Sequence, residues 1–319
     1  MKWKCVILDD YQNVAMKITD WSAIADKVEV TSIHHYIENE DELVNTIQDY
    51  EIVVIMRERT PFPARLFKRL EKLKLLITSG MRNASIDLQA ASSNGVTVCG
   101  TASSSEPPTE LAWALILGLA RNIVVENNAL KQSGPWQQTV GTDLYGKTLG
   151  LLGLGKIGGR MARIGKAFGM NVIAWSQNLT REQAENTGVA LAASKEELLK
   201  NSDFVSIHLV LSDRTRGLIG EEELQLMRPS SFLINTSRAA IVDQVALMKA
   251  LESKQIAGAG VDVFEIEPLP ELDPLRTLPN LLATPHLGYV TQRNYHTYYK
   301  EAVEDIIAFV NGSPIRTLV

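Results

Sequence analysis

Two cysteines in 319 residues are too few for a disulfide framework. Cys5 and Cys99 both stand in apolar, strand-like runs, KCVIL and VTVCG, so buried thiols in a reducing, cytoplasmic setting are expected. Long hydrophobic runs are missing too. The longest, Leu111 to Ala120, is about half a membrane span, and the N-terminal run is cut off by Asp9 and Asp10 before it could form a signal-peptide core. No Lys/Arg run occurs, and a net charge of -5 with a pI near 5.7 argues against nucleic acid or an anionic membrane as partner. No set of His, Cys and carboxylates has metal-ligand spacing, so no metal is expected.

What is present is rhythm. The length suits about two domains. Apolar, β-branched runs recur at Cys5 to Leu8, Val28 to Ile33, Ile52 to Met56, Leu73 to Thr78 and Val96 to Cys99, separated by helix-compatible stretches such as Glu40 to Gln48 and Pro63 to Leu70. Five such runs predict a parallel sheet with helices on both faces, flavodoxin-like in arrangement. Ligands bind beyond the carboxyl ends of such strands, which draws attention to the loop Ser79-Gly80-Met81-Arg82-Asn83. The patch TASSSEPPTE, residues 101 to 110, reads as a domain crossover, with Pro107 and Pro108 leading an apolar helix through Leu111 to Asn122. Trp136, on a loop, is expected to pack.

The stretch Lys147 to Ala174 is the most informative. An apolar run enters Gly153, Gly155 and Gly158 in a G-x-G-x-x-G pattern, a helix-like stretch follows, and Asn171 to Trp175 reads as the next strand. That βαβ context marks a dinucleotide site. Gly153 permits the tight turn, Gly155 lets a pyrophosphate approach the backbone, and Gly158 lets helix and sheet pack closely. Lys156 and Ile157 open the helix, whose N-terminal N–H groups favour the phosphates. Further strands are expected at Phe204 to Leu209, Phe232 to Asn235, Gly260 to Phe264 and Leu281 to Ala283, which with the first two make six, and a last helix at Gln292 to Val310.

In this order GLGKIG, HLVLSDRTRGLI (from His208), INTSRAAIVD (from Ile234), GAGVDVFEIEP (from Gly258) and TPHLG (from Thr284) resemble the D-isomer-specific 2-hydroxyacid dehydrogenase family. The resemblance implies two doubly wound α/β domains, a Rossmann cofactor domain over 102–290 and a discontinuous, flavodoxin-like substrate domain over 1–101 and 291–319. Their active site is expected in the cleft between them. It implies Arg238 as the arginine that holds the substrate carboxylate and polarises the 2-carbonyl, His286 as the acid/base and Glu267 as its paired carboxylate. It places Thr236 and His208 beside the cofactor, Asp262 on the nicotinamide carboxamide, and the Met81 and Arg82 backbone on the substrate carboxylate. Arg57 resembles an arginine near the substrate entrance of phosphoglycerate-type members, although a solvated strand-end charge is an equal reading. A homodimer is implied as well.

Physical chemistry supports the catalytic set. Reduction of a 2-keto acid needs a cation for the carboxylate, which a planar guanidinium provides, and a proton for the developing alkoxide, which imidazole provides near neutral pH. Two departures from the family pattern stand out. Ser176, followed by Gln177, occupies the place of the acidic residue that usually binds the adenosine ribose, so NAD and NADP are both open and dual or NADP-leaning use is expected. Arg82 replaces a common glycine and could meet a second acidic group on the substrate. The expected reaction is hydride transfer between a nicotinamide and C2 of a small 2-keto or 2-hydroxy acid. The alternatives are a short-form D-3-phosphoglycerate dehydrogenase or a dinucleotide-sensing, corepressor-like protein.

Overall fold

Ile52–Ile55 and Leu75–Thr78 are buried at every position, as strands covered on both faces must be. They are β3 and β4 of a five-stranded parallel sheet completed by β1 (Trp3–Ile7), β2 (Val28–Ser32) and β5 (Thr97–Gly100). Its order, β2-β1-β3-β4-β5, is the doubly wound order of flavodoxin-like folds. In the computed structural model, which describes residues 2–319, this sheet belongs to a unit made of the chain as far as Ser104 together with Val290–Val319. The returning helix Gln292–Val310 buries Tyr295, Tyr298, Tyr299 and Ile306 in that unit. The segment after it runs antiparallel to β5, with the Leu318 N–H donating to the Val98 carbonyl at 2.7 Å.

The second unit, Ser105–Tyr289, holds a seven-stranded parallel sheet. Its strands are β6 (Thr148–Leu152), β7 (Asn171–Trp175), β8 (Ala190–Leu191), β9 (Phe204–Ile207), β10 (Phe232–Asn235), β11 (Gly258–Val261) and β12 (Leu281–Ala283). The order is β12-β11-β10-β9-β6-β7-β8. Counted from β6 this is 3-2-1-4-5-6 with one further strand, the arrangement of a dinucleotide-binding fold. Apolar clusters fill both faces, one around Leu198, Leu233 and Leu251 and the other around Trp113, Met161 and Phe204.

Two local expectations change. The sequence predicts six strands here; β8 is the seventh, a two-residue edge strand too short to carry a periodic pattern. The apolar helix starts at Glu106, with prolines in the first turn where no N–H is needed, and ends at Ala120. Asn122 then takes a left-handed conformation, φ 52°, which asparagine tolerates, and a second helix runs over Ile123–Lys131. No single helix among the described residues is long and apolar enough to cross a membrane.

Candidate active site

The glycine loop follows β6. Gly153 sits at φ 101°, and a Cβ there would lie 2.7 Å from the His208 carbonyl oxygen. A Cβ on Gly158 would meet the Gly153 carbonyl oxygen at 2.1 Å, so the helix can lie this close to the loop only without a side chain. Gly155 differs: a Cβ there meets nothing within 4 Å. Its lack of a side chain serves no internal contact, which is what a surface approached by a ligand requires. Gly155 is also the N-cap of the 12-residue helix Lys156–Ala167 and gives it no side-chain cap, so that terminus keeps donors for an anion. These residues fit a dinucleotide. Behind the loop, the His208 N–H donates to the Leu152 carbonyl at 2.8 Å, and its Nε2 lies 2.9 Å from Ser206 Oγ. Desolvation brings the His208 imidazole down to about 4, so it is neutral at physiological pH.

Beyond β7, the Leu179 N–H donates to the Ser176 carbonyl at 3.0 Å and closes a turn in which Gln177 and Asn178 are exposed. This turn, Ser176 to Leu179, carries no carboxylate.

Three neighbouring strands deliver the catalytic candidates at one edge of the sheet. Past β10, the Asn235 amide organises the loop: its Nδ2 donates to the Arg238 carbonyl at 3.0 Å, and its Oδ1 accepts the Ser237 N–H at 3.1 Å. Ser237 Oγ donates to the Ile207 carbonyl at 2.8 Å, tying the turn to β9. Arg238 Nη1 donates to the Ser237 carbonyl at 2.8 Å, which folds the guanidinium back over its own turn. Thr236 is half-buried in the same loop.

Past β11 and β12 stand Glu267 and His286. His286 Nδ1 and Glu267 Oε2 are 2.6 Å apart, and Glu267 Oε1 accepts the Phe264 N–H at 2.9 Å. The carboxylate is thus held at one oxygen and offered to the imidazole at the other, with Nε2 outside that contact. His286 has φ 53°, unusual for a side chain of its size. The restraint comes from Asp262, fully buried one residue past β11. Its Oδ1 accepts Thr284 Oγ1 and the Leu287 N–H, each at 2.6 Å, and its Oδ2 accepts the Gly288 N–H at 2.8 Å. Burial raises the Asp262 carboxyl, against the opposing effect of these bonds. The position expected to meet the nicotinamide amide therefore also clamps the loop on both sides of the histidine. The Tyr289 ring packs edge-on against the imidazole at 5.4 Å.

Arg57, Met81 and Arg82 belong to the other unit. Arg57 stands at φ 54°, and its Nη1 donates to the Ser79 carbonyl at 3.3 Å. Met81 and Arg82 are exposed in the loop past β4. Cys5 and Cys99 are buried and unpaired, and burial pushes the Cys99 thiol up to about 12, so it is not a nucleophile. Trp136, expected to pack, is 79% exposed, because its loop, residues 132–138, is exposed throughout and offers no core to pack against. No metal-binding group of side chains occurs among the described residues. Asn235, Ser237 and Thr284 went unrecognised in the sequence. They carry no chemistry of their own and act only through the loops they close.

A seven-stranded parallel sheet in this order, with a glycine loop that fits a pyrophosphate, defines a dinucleotide-binding protein. Residues 113–288 match the family described as D-isomer specific 2-hydroxyacid dehydrogenase, NAD binding domain, and the chain belongs to that family. It is 40% identical over 263 residues to a glyoxylate reductase from Aeropyrum pernix, covering 80% of this chain and 78% of that one. It is 38% identical over 255 residues to a D-3-phosphoglycerate dehydrogenase from Methanocaldococcus jannaschii, covering 79% of this chain but only 48% of that one. The chain thus spans about half the length of that relative. The solved structure of a phosphoglycerate oxidoreductase from Vibrio cholerae superimposes with a TM-score of 0.92 at 38% identity, covering 98% of this chain and all of the other.

Proposed function

We propose that the protein reduces a small 2-keto acid to the D-2-hydroxy acid, reversibly, with His286 as acid/base. The observation that carries this is the 2.6 Å contact between His286 Nδ1 and Glu267 Oε2. A carboxylate there fixes the orientation of the imidazole, whose Nε2 gives a proton to the carbonyl oxygen as the alkoxide develops. The NAD or NADP cofactor, when bound, supplies the hydride that goes to C2. Arg238 holds the carboxylate and polarises the carbonyl, with the Met81 and Arg82 backbone as further carboxylate ligands. Gly153, Gly155, Lys156, Ile157, Gly158, Thr236 and His208 hold the cofactor in this reading, with Ser176 and Gln177 at its adenosine ribose. Asp262 holds the nicotinamide amide in addition to the His286 loop.

Glyoxylate and hydroxypyruvate are the substrates of this proposal, on the likeness to the glyoxylate reductase relative; a phosphoglycerate-type substrate is the alternative, on the likeness to the phosphoglycerate oxidoreductase structure. A spectrophotometric screen of 2-keto acids with NADH and NADPH side by side tests it. Cofactor binding without turnover of any keto acid would favour a sensor instead.

A cytoplasmic homodimer is part of the proposal. Trp136, Val140, Tyr145 and Leu130 are 79%, 97%, 82% and 63% exposed within one stretch of the cofactor unit. Apolar surface of that extent calls for a covering partner, and a second copy is the one proposed. Sedimentation of the wild type and of Trp136→Glu with Val140→Glu tests this.

A further inference from the structure

The returning helix Gln292–Val310 buries Tyr295, Tyr298, Tyr299, Ala302 and Ile306 on one side. His296, Lys300, Val303 and Ile307 follow one another at intervals of four, three and four residues and so share the neighbouring face. The chain opposite that face is irregular. A four-residue helix, Ala15–Ile18, stops at Thr19, whose backbone is extended at φ -141° and ψ 165°. Asp20 Oδ1 then accepts the Ser22 N–H at 2.9 Å and leads into a single 3-10 turn, Ser22–Ile24. A helix so short, a break and one turn cannot cover the face as a continuous helix would. What remains is a groove of about 790 Å³, lined by these two stretches and wholly inside the unit of the five-stranded sheet.

The walls of the groove are fixed. Trp21, buried at the break, donates from Nε1 to the Ala15 carbonyl at 2.9 Å and packs against the Tyr299 ring with centroids 6.4 Å apart. The space is therefore preformed, and its size is that of a small-molecule site. Its floor is apolar: Val303 is buried, and Ile18 and Ile307 are half-buried. Lys300 and His296 stand about one and two turns before Val303 on the same helix, and Lys17 stands on the opposite wall. Lys17 and His296 make no side-chain hydrogen bond or ion pair among the described residues, and Lys300 has Glu304 at 4.0 Å. The carboxylates of the lining have partners of their own: Glu304 takes Arg316 Nη1 at 2.9 Å and Asp20 takes the Ser22 N–H. Along the helix, then, donors come first and hydrocarbon second.

We propose that this groove binds an amphipathic organic carboxylate, an extended medium-chain fatty acid, with its carboxylate on Lys300, His296 and Lys17 and its chain along Val303 and Ile307. A small anion would leave the apolar floor wet, and a neutral hydrocarbon would leave the lysines unmatched; a ligand that carries both parts uses the whole lining. From His296 to Ile307 the helix rises about 16 Å, which suits an extended chain better than a compact acid. None of the residues named belongs to the catalytic or cofactor-binding set, so the inference does not depend on the keto-acid reading.

Calorimetric titration of the full-length protein with octanoate, kept below its micellar concentration, is the test, with acetate and 1-octanol as the charge and the chain alone. Octanoate is expected to bind saturably at one site, at least about tenfold more tightly than either control. Lys17→Gln with Lys300→Gln is expected to weaken it about tenfold; both lysines are exposed, so this variant does not threaten folding. Ile307→Asp puts a charge on the floor and is expected to weaken it at least as much, with circular dichroism to report its folding; the lysine variant carries the test if it does not fold. Octanoate-dependent amide shifts are expected within residues 17–23 and 296–307. Absence of saturable binding to wild type overturns the proposal, as does binding of 1-octanol equal to that of octanoate. Octanoate binding that the lysine variant does not change overturns it too, and its loss in Arg238→Gln alone would place the carboxylate at the catalytic candidates instead.

Discussion

The side chains of Glu267 and His286 meet at 2.6 Å from loops that follow adjacent strands, β11 and β12. Because Glu267 is itself fixed by the Phe264 N–H, the imidazole is oriented by a carboxylate that cannot swing away. Glu267→Gln keeps the shape and removes the charge. It is expected to lower kcat for keto-acid reduction about 100-fold, and His286→Gln about 1000-fold, within the range of general acid catalysis. Steady-state kinetics decide it: a Glu267→Gln enzyme with wild-type kcat would detach the pair from the chemistry.

Arg238→Lys retains a positive charge but not the planar fork. A loss of about 2–3 kcal/mol in kcat/KM, roughly 30- to 150-fold, is expected for every 2-keto acid, because in the proposed function a planar fork on the carboxylate gives way to a point contact. If only some keto acids respond, the arginine reads a variable part of the substrate, not the shared carboxylate.

Asp262 accepts three hydrogen bonds from the His286 loop. Asp262→Ala leaves those donors without their acceptor and is expected to cost about 3 kcal/mol of stability as well as activity. Thermal or urea unfolding measures the first. Unchanged stability would show that the loop keeps its course without the carboxylate.

Ser176→Asp places a negative charge at the turn to which the proposed function assigns the adenosine ribose. The NADPH kcat/KM is expected to fall about 100-fold relative to that of NADH, roughly 2.7 kcal/mol. A ratio that does not move would put the 2′ position away from this turn.

Asp305 is fully buried in the returning helix, with Oδ1 accepting Arg316 Nε at 2.9 Å. Burial raises its carboxyl to about 7 despite that arginine. The folded protein therefore keeps this proton up to about pH 7, whereas an unfolded chain releases it near the ordinary 3.8. Between those values the folded state binds more protons, so stability from this group is full at low pH and is lost as pH rises through 7. Asp305→Asn should gain about 1–2 kcal/mol on wild type between pH 5 and pH 8 in urea unfolding. A constant difference would mean that the carboxyl is already ionised at pH 5.

Much of this was legible in one dimension. The alternation of apolar and helical stretches predicts both parallel sheets. The strands Phe232–Asn235 and Leu281–Ala283 and the helix Gln292–Val310 run where the sequence places them, since burial on both faces leaves strong local signals. The glycine loop is equally legible, because only glycine meets the steric demands at Gly153 and Gly158. β8 was not, being an edge strand held by its neighbour more than by its own pattern.

The sequence by itself determined the fold class and the dinucleotide loop, because residue type and local order suffice for these, and its resemblance to the family singled out Arg238, Glu267 and His286 as candidates. Only the tertiary structure decided how they are held. Asp262 closes on Gly288, 26 residues away, and Asn83 on Arg57, also 26 residues away. Such pairings depend on which loops the parallel sheets bring side by side, and hydrogen-bond partners that distant leave no periodicity in the chain.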